Sequence, residues 1–161
     1  MASTQLTLNQ TTLLGATTGT IACLLAPLTG KQLLLPGATV ADVLPAGELQ
    51  PPPAGAPEWH LGFIAWKDQR VPVVAFETLN GEGAPRDIER VAIVAGISNQ
   101  RALPCYGIVV QGQPASARVK IAQLEDLEGA STGPMEFLKV RFMGELAVIP
   151  DLDAIEARLL G

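Results

Sequence analysis

The sequence predicts a mainly β protein: nine or ten short strands divided between two small barrels, with short helices that include one at the C-terminus. Three observations lead there. Glycine and proline supply 16 and 13 of the 161 residues, a density of chain punctuation that argues against a helical bundle. Apolar residues make up 48% of the chain but aromatics only 4%, so the core is aliphatic, and its β-branched residues fall in short runs bounded by turn residues. Two hairpins also resemble each other. Arg70-Val71-Pro72-Val73-Val74 followed by Phe76 parallels Glu145-Leu146-Ala147-Val148-Ile149 followed by Leu152, which favours two similar β units over one sandwich.

Taken in order, residues 1–19 are polar and Thr-rich and read as a flexible N-terminal arm ahead of a single domain over 20–161. Thr20 to Ala26 reads as a strand, Thr29-Gly30-Lys31 as a turn, and Gln32 to Leu35 as the partner strand. In Ala38 to Leu44, Val40, Val43 and Leu44 stand at i, i+3 and i+4, which predicts one short helical turn with a single apolar face. Pro45 to Pro57 contains five prolines and two glycines. Lacking amide donors, it is neither helix nor inner strand, and it reads as a stiff strap that crosses the surface and fixes where the next strand begins.

Leu61 to Trp66 and Val71 to Phe76 flank the polar turn Lys67-Asp68-Gln69-Arg70, and Pro72 marks the second of these strands as an edge or a bulge. Asn80-Gly81-Glu82-Gly83 ends that unit. Further strands are expected at Arg90 to Val94, at Gly107 to Val110 and, more weakly patterned, at Ala117 to Ile121. Leu138 to Phe142 and Leu146 to Ile149 form the second hairpin around Met143-Gly144-Glu145. Leu152, Ile155, Leu159 and Leu160 stand at helical spacing behind Pro150 and Asp151, which suit a helix start. A short amphipathic helix therefore closes the chain.

Eleven basic residues face 16 acidic ones, for a net charge of −5, and no stretch clusters Lys or Arg. That balance argues against nucleic acid and anionic membrane surfaces as partners. From Met1 to Val40 the sole charged residue is Lys31, which raises the question of export or membrane insertion. A secretory signal needs a basic stretch ahead of its apolar one, and nothing basic precedes Lys31. Thr20-Ile21-Ala22-Cys23 only loosely resembles a lipoprotein box. The best apolar window, Leu13 to Leu28, has 16 residues with three threonines, two glycines and a proline, short of the roughly 20 apolar residues a bilayer span requires. A cytoplasmic protein is expected.

Residues that carry chemistry are few. Cys23 and Cys105 have no metal-ligand spacing and read as buried thiols. A nucleophilic thiol needs an adjacent base, so Cys105 with His60, the single histidine, is the sharpest enzymatic reading, although no third group suggests itself to orient the pair. Zinc would need several carboxylates beside them. Glu125, Asp126 and Glu128 read as a solvated loop face, and Gly81 and Gly83 lack the Lys-Ser/Thr pair of a phosphate loop. No cofactor or metal is expected. A surface remains: Phe63 and Trp66 alternate to opposite faces of one strand, so an outward ring flanked by Lys67 and Arg70 would make a protein contact.

The same region carries a family resemblance. Pro57-Glu58-Trp59-His60-Leu61-Gly62-Phe63-Ile64, the polar turn and Arg70-Val71-Pro72-Val73-Val74 are similar to the central signature of CheW-like domains. Tyr106-Gly107-Ile108-Val109-Val110 resembles that family's later Gly-containing strand, and Leu138 to Leu160 its closing hairpin and helix. The resemblance spans Thr20 to Leu160. The departures are local: the family's turn Asn, Arg and Gly fall on Ala65, Lys67 and Asp68, and its two strand-end Asp residues on Ala75 and Gln111. Single-domain, Ala/Pro/Gly-rich members of the ChpC type, which serve type IV pili and twitching, look most similar.

The resemblance implies two intertwined five-stranded SH3-like β-barrels sharing a core. It also implies an adaptor without catalysis that couples a chemoreceptor cytoplasmic domain to a CheA-type histidine kinase. The implied receptor groove lies between the barrels, lined by Val40, Ala41, Asp42 and Val43 and by the Lys67 turn. Arg70 and Val71 beside that turn complete the binding candidates. The alternatives left open are a thiol enzyme using Cys105 and His60, and a structural β domain with an unknown partner.

Overall fold

The apolar runs become eleven strands in two sheets among the residues described by the computed structural model, which are 20–96, 104–120, 124–127 and 132–160. The expected arm 1–19, Ile121 and Glu128 lie outside them. The first sheet holds β1 (Thr20–Leu28), β2 (Lys31–Pro36), β8 (Ala115–Lys120), β9 (Glu125–Asp126), β10 (Glu136–Phe142) and β11 (Glu145–Pro150), ordered β8-β1-β2-β11-β10-β9. The second holds β3 (Val40–Pro45), β4 (His60–Trp66), β5 (Gln69–Val74), β6 (Arg90–Ala95) and β7 (Cys105–Val110), ordered β3-β6-β7-β5-β4. Two helices follow hairpins: α1 (Phe76–Leu79) after β5 and α2 (Leu152–Leu160) after β11. Asp151 caps α2, its Oδ1 accepting the Ala154 N–H at 3.1 Å.

The chain crosses between the sheets, and strand alternation then builds three apolar clusters. Ile21, Cys23, Leu34, Val140 and Ile149 fill the inside of the first sheet, while Ile64, Val71, Val73, Val91 and Ile93 fill the second. The opposite faces of the same strands meet in a shared core, with Leu33, Leu35 and Val148 from the first sheet and Val74, Ile108 and Val110 from the second. Phe76 and Leu79 of α1 and Leu152 and Ile155 of α2 seal it. Strands buried on both faces read as continuous apolar runs rather than alternating ones. All six residues of β7 are buried, and the strand accordingly carries no charged residue.

The second sheet closes through the proline strap. After β3 the chain makes a 3₁₀ turn at Ala46–Glu48, and Gln50 then bridges to β4: its N–H donates to the Phe63 carbonyl at 2.7 Å and its carbonyl accepts the Phe63 N–H at 2.9 Å. The strap thus joins the two edges of the sheet. At that crossing Gly62 has φ +132°, and a Cβ placed there would stand 1.7 Å from the Gln50 carbonyl oxygen.

The internal repeat is architectural. Each hairpin turns on two residues of positive φ, Lys67 (46°) and Asp68 (62°) in one, Met143 (52°) and Gly144 (82°) in the other, the geometry of a type I′ turn. Each second strand then forms a parallel pair, β5 with β7 and β11 with β2, and each runs into a helix that begins at the paired positions Phe76 and Leu152.

Three local expectations are corrected. Ala38 to Leu44 is not a helical turn. A 3₁₀ turn covers only Gly37–Thr39 and the rest is β3, antiparallel to β6 with a bulge between Val40 and Asp42. The bulge's extra residue shifts the alternation, so i, i+3 spacing there mimicked a helix. Phe76 starts α1 instead of ending a strand. Glu125 and Asp126 form a short strand against β10, with the Glu125 carboxylate 3.8 Å from Arg141 Nε.

Met143 occupies the left-handed region with 83% of its surface exposed, a conformation that favours Asn over an unbranched apolar residue. Met143→Asn is expected to raise stability by about 1 kcal/mol, or about 3 °C in melting temperature, as read by thermal and urea unfolding.

Candidate protein-interaction surface

Where the strap closes the second sheet, residues from β3 and the β4–β5 hairpin converge. Asp42 Oδ2 accepts the indole N–H of Trp66 at 2.9 Å, while Asp42 Oδ1 accepts the Val43 N–H at 2.8 Å. The Lys67 ammonium lies 4.9 Å from the Trp66 ring centroid. Asp42 and Lys67, 25 positions apart in the chain, are therefore gathered by one indole. Lys67 and Trp66 line a shallow depression of about 430 Å³ together with Gln50, Asp68 and Arg70. Asp68 fills a left-handed position that glycine would occupy freely, and Asp is among the residues that tolerate it, so the turn persists despite the substitution.

Val40 lies elsewhere, at the rim of a second depression of about 410 Å³ that sits over the paired strands β1 and β8 of the first sheet, lined by Ala22, Leu24, Gly37, Ser116, Ala117 and Arg118. Val43 is half-buried opposite Ala92. Val71 differs from the other candidates: it is 1% exposed inside the second sheet, and so it supports the hairpin from within rather than presenting a contact. Arg70 lies on the outer face, its guanidinium 3.8 Å over Phe63. Phe63 is the outward ring of the pair, whereas Trp66 packs toward the sheet interior. Gln50, which completes this surface, carries no periodic signal in the sequence because it is a single residue within a proline-rich strap.

The thiol reading does not assemble. His60 pairs with Val74 at the far end of β5, and the β5–β7 register places Cys105 level with Val71. Three residues along and two strands across put the two about 14 Å apart. His60 Nδ1 accepts the Gly62 N–H at 3.3 Å, and the Cys105 thiol lies 3.7 Å from Gln69 Oε1. Burial pushes the Cys105 pKa up and raises Cys23 to about 11, so both are thiols rather than thiolates at neutral pH. Among the described residues no group of three or more His, Cys, Asp or Glu is placed to hold a metal ion, and no helix is long and apolar enough to cross a membrane.

A polar junction ties the first sheet to the segment at the end of α1, on the side of the β1–β2 turn. Lys31 Nζ lies 2.5 Å from Glu82 and 3.2 Å from Glu136. Asn80 Nδ2 donates to Glu136 at 2.7 Å, Asn80 Oδ1 accepts the Met135 N–H at 2.9 Å, and the Gly133 N–H donates to Glu136 at 2.9 Å. Burial alone would raise the Glu136 pKa, but these donors outweigh it and hold the carboxyl below its ordinary value. Lys31, the isolated charge of the N-terminal forty residues, is thus committed to a buried contact across the first sheet with Glu136 of β10. Deeper in, the Tyr106 hydroxyl donates to Glu156 at 3.2 Å, and burial first, then the Glu156 charge, push its pKa up.

The family model for the CheW-like domain matches residues 22–158. Among solved structures, the scaffolding protein TtCheW from Thermoanaerobacter tengcongensis has a similar fold, with a TM-score of 0.66 at 16% sequence identity over 82% of this chain and 84% of that one. No curated protein matches the sequence.

Proposed function

Because the chain belongs to the CheW-like domain family, we propose that it is a non-catalytic adaptor that couples the cytoplasmic domain of a chemoreceptor to a CheA-type histidine kinase. We place it in the cytoplasm and in the ChpC-type branch that controls type IV pili and twitching. The observation that carries this reading is the family match, which runs through both sheets and into α2 and so covers the surfaces on which such an adaptor works. The depression at Val40 suits the apolar face of a receptor helix, and the Asp42–Trp66–Lys67 cluster supplies polar contacts beside it. Signalling then follows if kinase-active and kinase-inactive assemblies hold the adaptor with different affinities.

Lys67→Glu reverses the charge at the hairpin tip without burying anything. It is expected to weaken binding to the receptor fragment or to the kinase regulatory domain by about tenfold, to impair pilus-dependent movement, and to leave the melting temperature unchanged. Titration of the purified chain against both partners from the same cell checks this. Binding to neither, by the unaltered chain, removes the adaptor reading.

A further inference from the structure

The outer face of the β4–β5 hairpin, where it meets α2, bears five side chains stacked in single file. The Arg158 guanidinium lies 5.9 Å from the Trp59 ring, and Trp59 lies 6.1 Å from His60 with the planes 18° apart. His60 meets Phe63 edge-on at 5.0 Å, and Arg70 covers Phe63 at 3.8 Å. Both arginines are exposed and the three rings are half-buried. Neither arginine has an ion-pair partner among the described residues. This strip lies on the opposite side of the hairpin from the Trp66 indole, and Arg70 at its end is the one member that also lines the depression beside Lys67.

We propose that the strip docks an acidic amphipathic helix of a partner protein, its apolar seam resting on Trp59, His60 and Phe63 and its carboxylates pairing with Arg158 and Arg70. Charge selects the occupant. The chain as a whole carries −5, yet here two exposed arginines stand at the ends of an apolar run with no ion-pair partner among the described residues, which leaves their N–H forks available for carboxylates. His60 adds a donor in the middle: its Nδ1 accepts the Gly62 N–H, which in the neutral ring leaves the proton on Nε2. Spacing selects the conformation. Ring-to-ring steps of 6.1 and 5.0 Å bracket the helical pitch of about 5.4 Å and fall short of the ~6.8 Å same-face repeat of a strand. Composition agrees, since one of the two Trp residues and one of the four Phe residues of an aromatic-poor chain stand on this face, and Trp and Arg are the side chains that anchor interfaces.

The test uses three helical peptides of roughly 18 residues that share one leucine seam and carry Glu, Gln or Lys at the flanking positions, titrated by fluorescence anisotropy against the full chain. The Glu peptide is expected to bind about tenfold more tightly than the Gln peptide, with the Lys peptide weakest, and to lose that advantage at high salt. Arg70→Gln with Arg158→Gln should bring the Glu peptide down to the Gln level, whereas Lys67→Glu should leave all three unchanged. The proposal is overturned by a Glu peptide that fails to bind, by equal binding of the three peptides, or by a Glu preference that survives the double arginine variant. Self-association of the chain that the same double variant abolishes would also overturn it, by making a second copy the occupant. None of these outcomes bears on the receptor or kinase titration at Lys67, so the two readings fail separately.

Discussion

Gly62→Ala is expected to cost about 3–4 kcal/mol of folding stability. The methyl group would stand 1.7 Å from the Gln50 carbonyl oxygen and 2.9 Å from its carbon, and both are backbone atoms that no rotamer change can move aside. The φ of +132° adds strain for any residue with a Cβ, about 1–3 kcal/mol. Relief requires Gln50 to withdraw, which breaks both hydrogen bonds of the Gln50–Phe63 bridge at about 1 kcal/mol each. The loss is structural in a specific way, because that bridge closes the second sheet and holds β3 beside the hairpin. Urea unfolding should show a lower midpoint, and the Asp42–Trp66 contact should loosen, visible as a shift in indole fluorescence. Gln50→Ala keeps the backbone bridge and should stay within about 0.5 kcal/mol of the unaltered chain. A Gly62→Ala protein within 1 kcal/mol of it would show that the strap does not close the sheet.

How much of this was legible in the sequence depended on whether the signal was local. The hairpins were readable because each is written locally, as two apolar runs on either side of Lys67-Asp68-Gln69-Arg70 and of Met143-Gly144-Glu145, and α2 because Leu152, Ile155 and Leu159 share one face behind Asp151. The two-barrel plan was visible through the repeat, whose paired positions Phe76 and Leu152 both start helices. Beyond that range the pattern misled. Val40, Val43 and Leu44 matched a helix because a bulge adds a residue to a strand. Val71, read as a surface candidate from its place beside the turn, faces inward because β5 alternates. The pairing of Asp42 with Lys67 through Trp66, the closure by Gln50, and the distance between His60 and Cys105 all depend on strand order across the sheet. No spacing in the chain encodes that order.

Lys31→Met is expected to cost about 3–5 kcal/mol at neutral pH, because removing one partner of a buried ion pair strands the other. Lys31 and Glu136 have side chains 8% and 1% exposed, and Lys139, 3.6 Å from the other Glu136 oxygen, is too far for a full replacement. Lys31→Met combined with Glu136→Gln should recover part of the loss, since the double variant buries no unpaired carboxylate. Acid separates the electrostatic part from the packing part. Glu136 in the folded chain has a pKa below its ordinary 4.5, so its contribution is fully present above about pH 4.5 and is lost as pH falls through the folded value. The unaltered chain therefore loses stability across that acid window, and Glu136→Gln should flatten the slope. In Lys31→Met the Gly133 and Asn80 hydrogen bonds remain but one counter-charge is gone, so the Glu136 carboxyl is held down less than in the unaltered chain, protonation relieves the stranded charge, and the gap to the unaltered chain should narrow as pH falls. Urea unfolding of the four proteins from about pH 3 to 7 reads this directly. A gap that stays constant over the range would assign the loss to the packing of the Lys31 side chain, whose ammonium lies 5.7 Å from the Phe76 ring, and not to the Lys31–Glu136 charge pair.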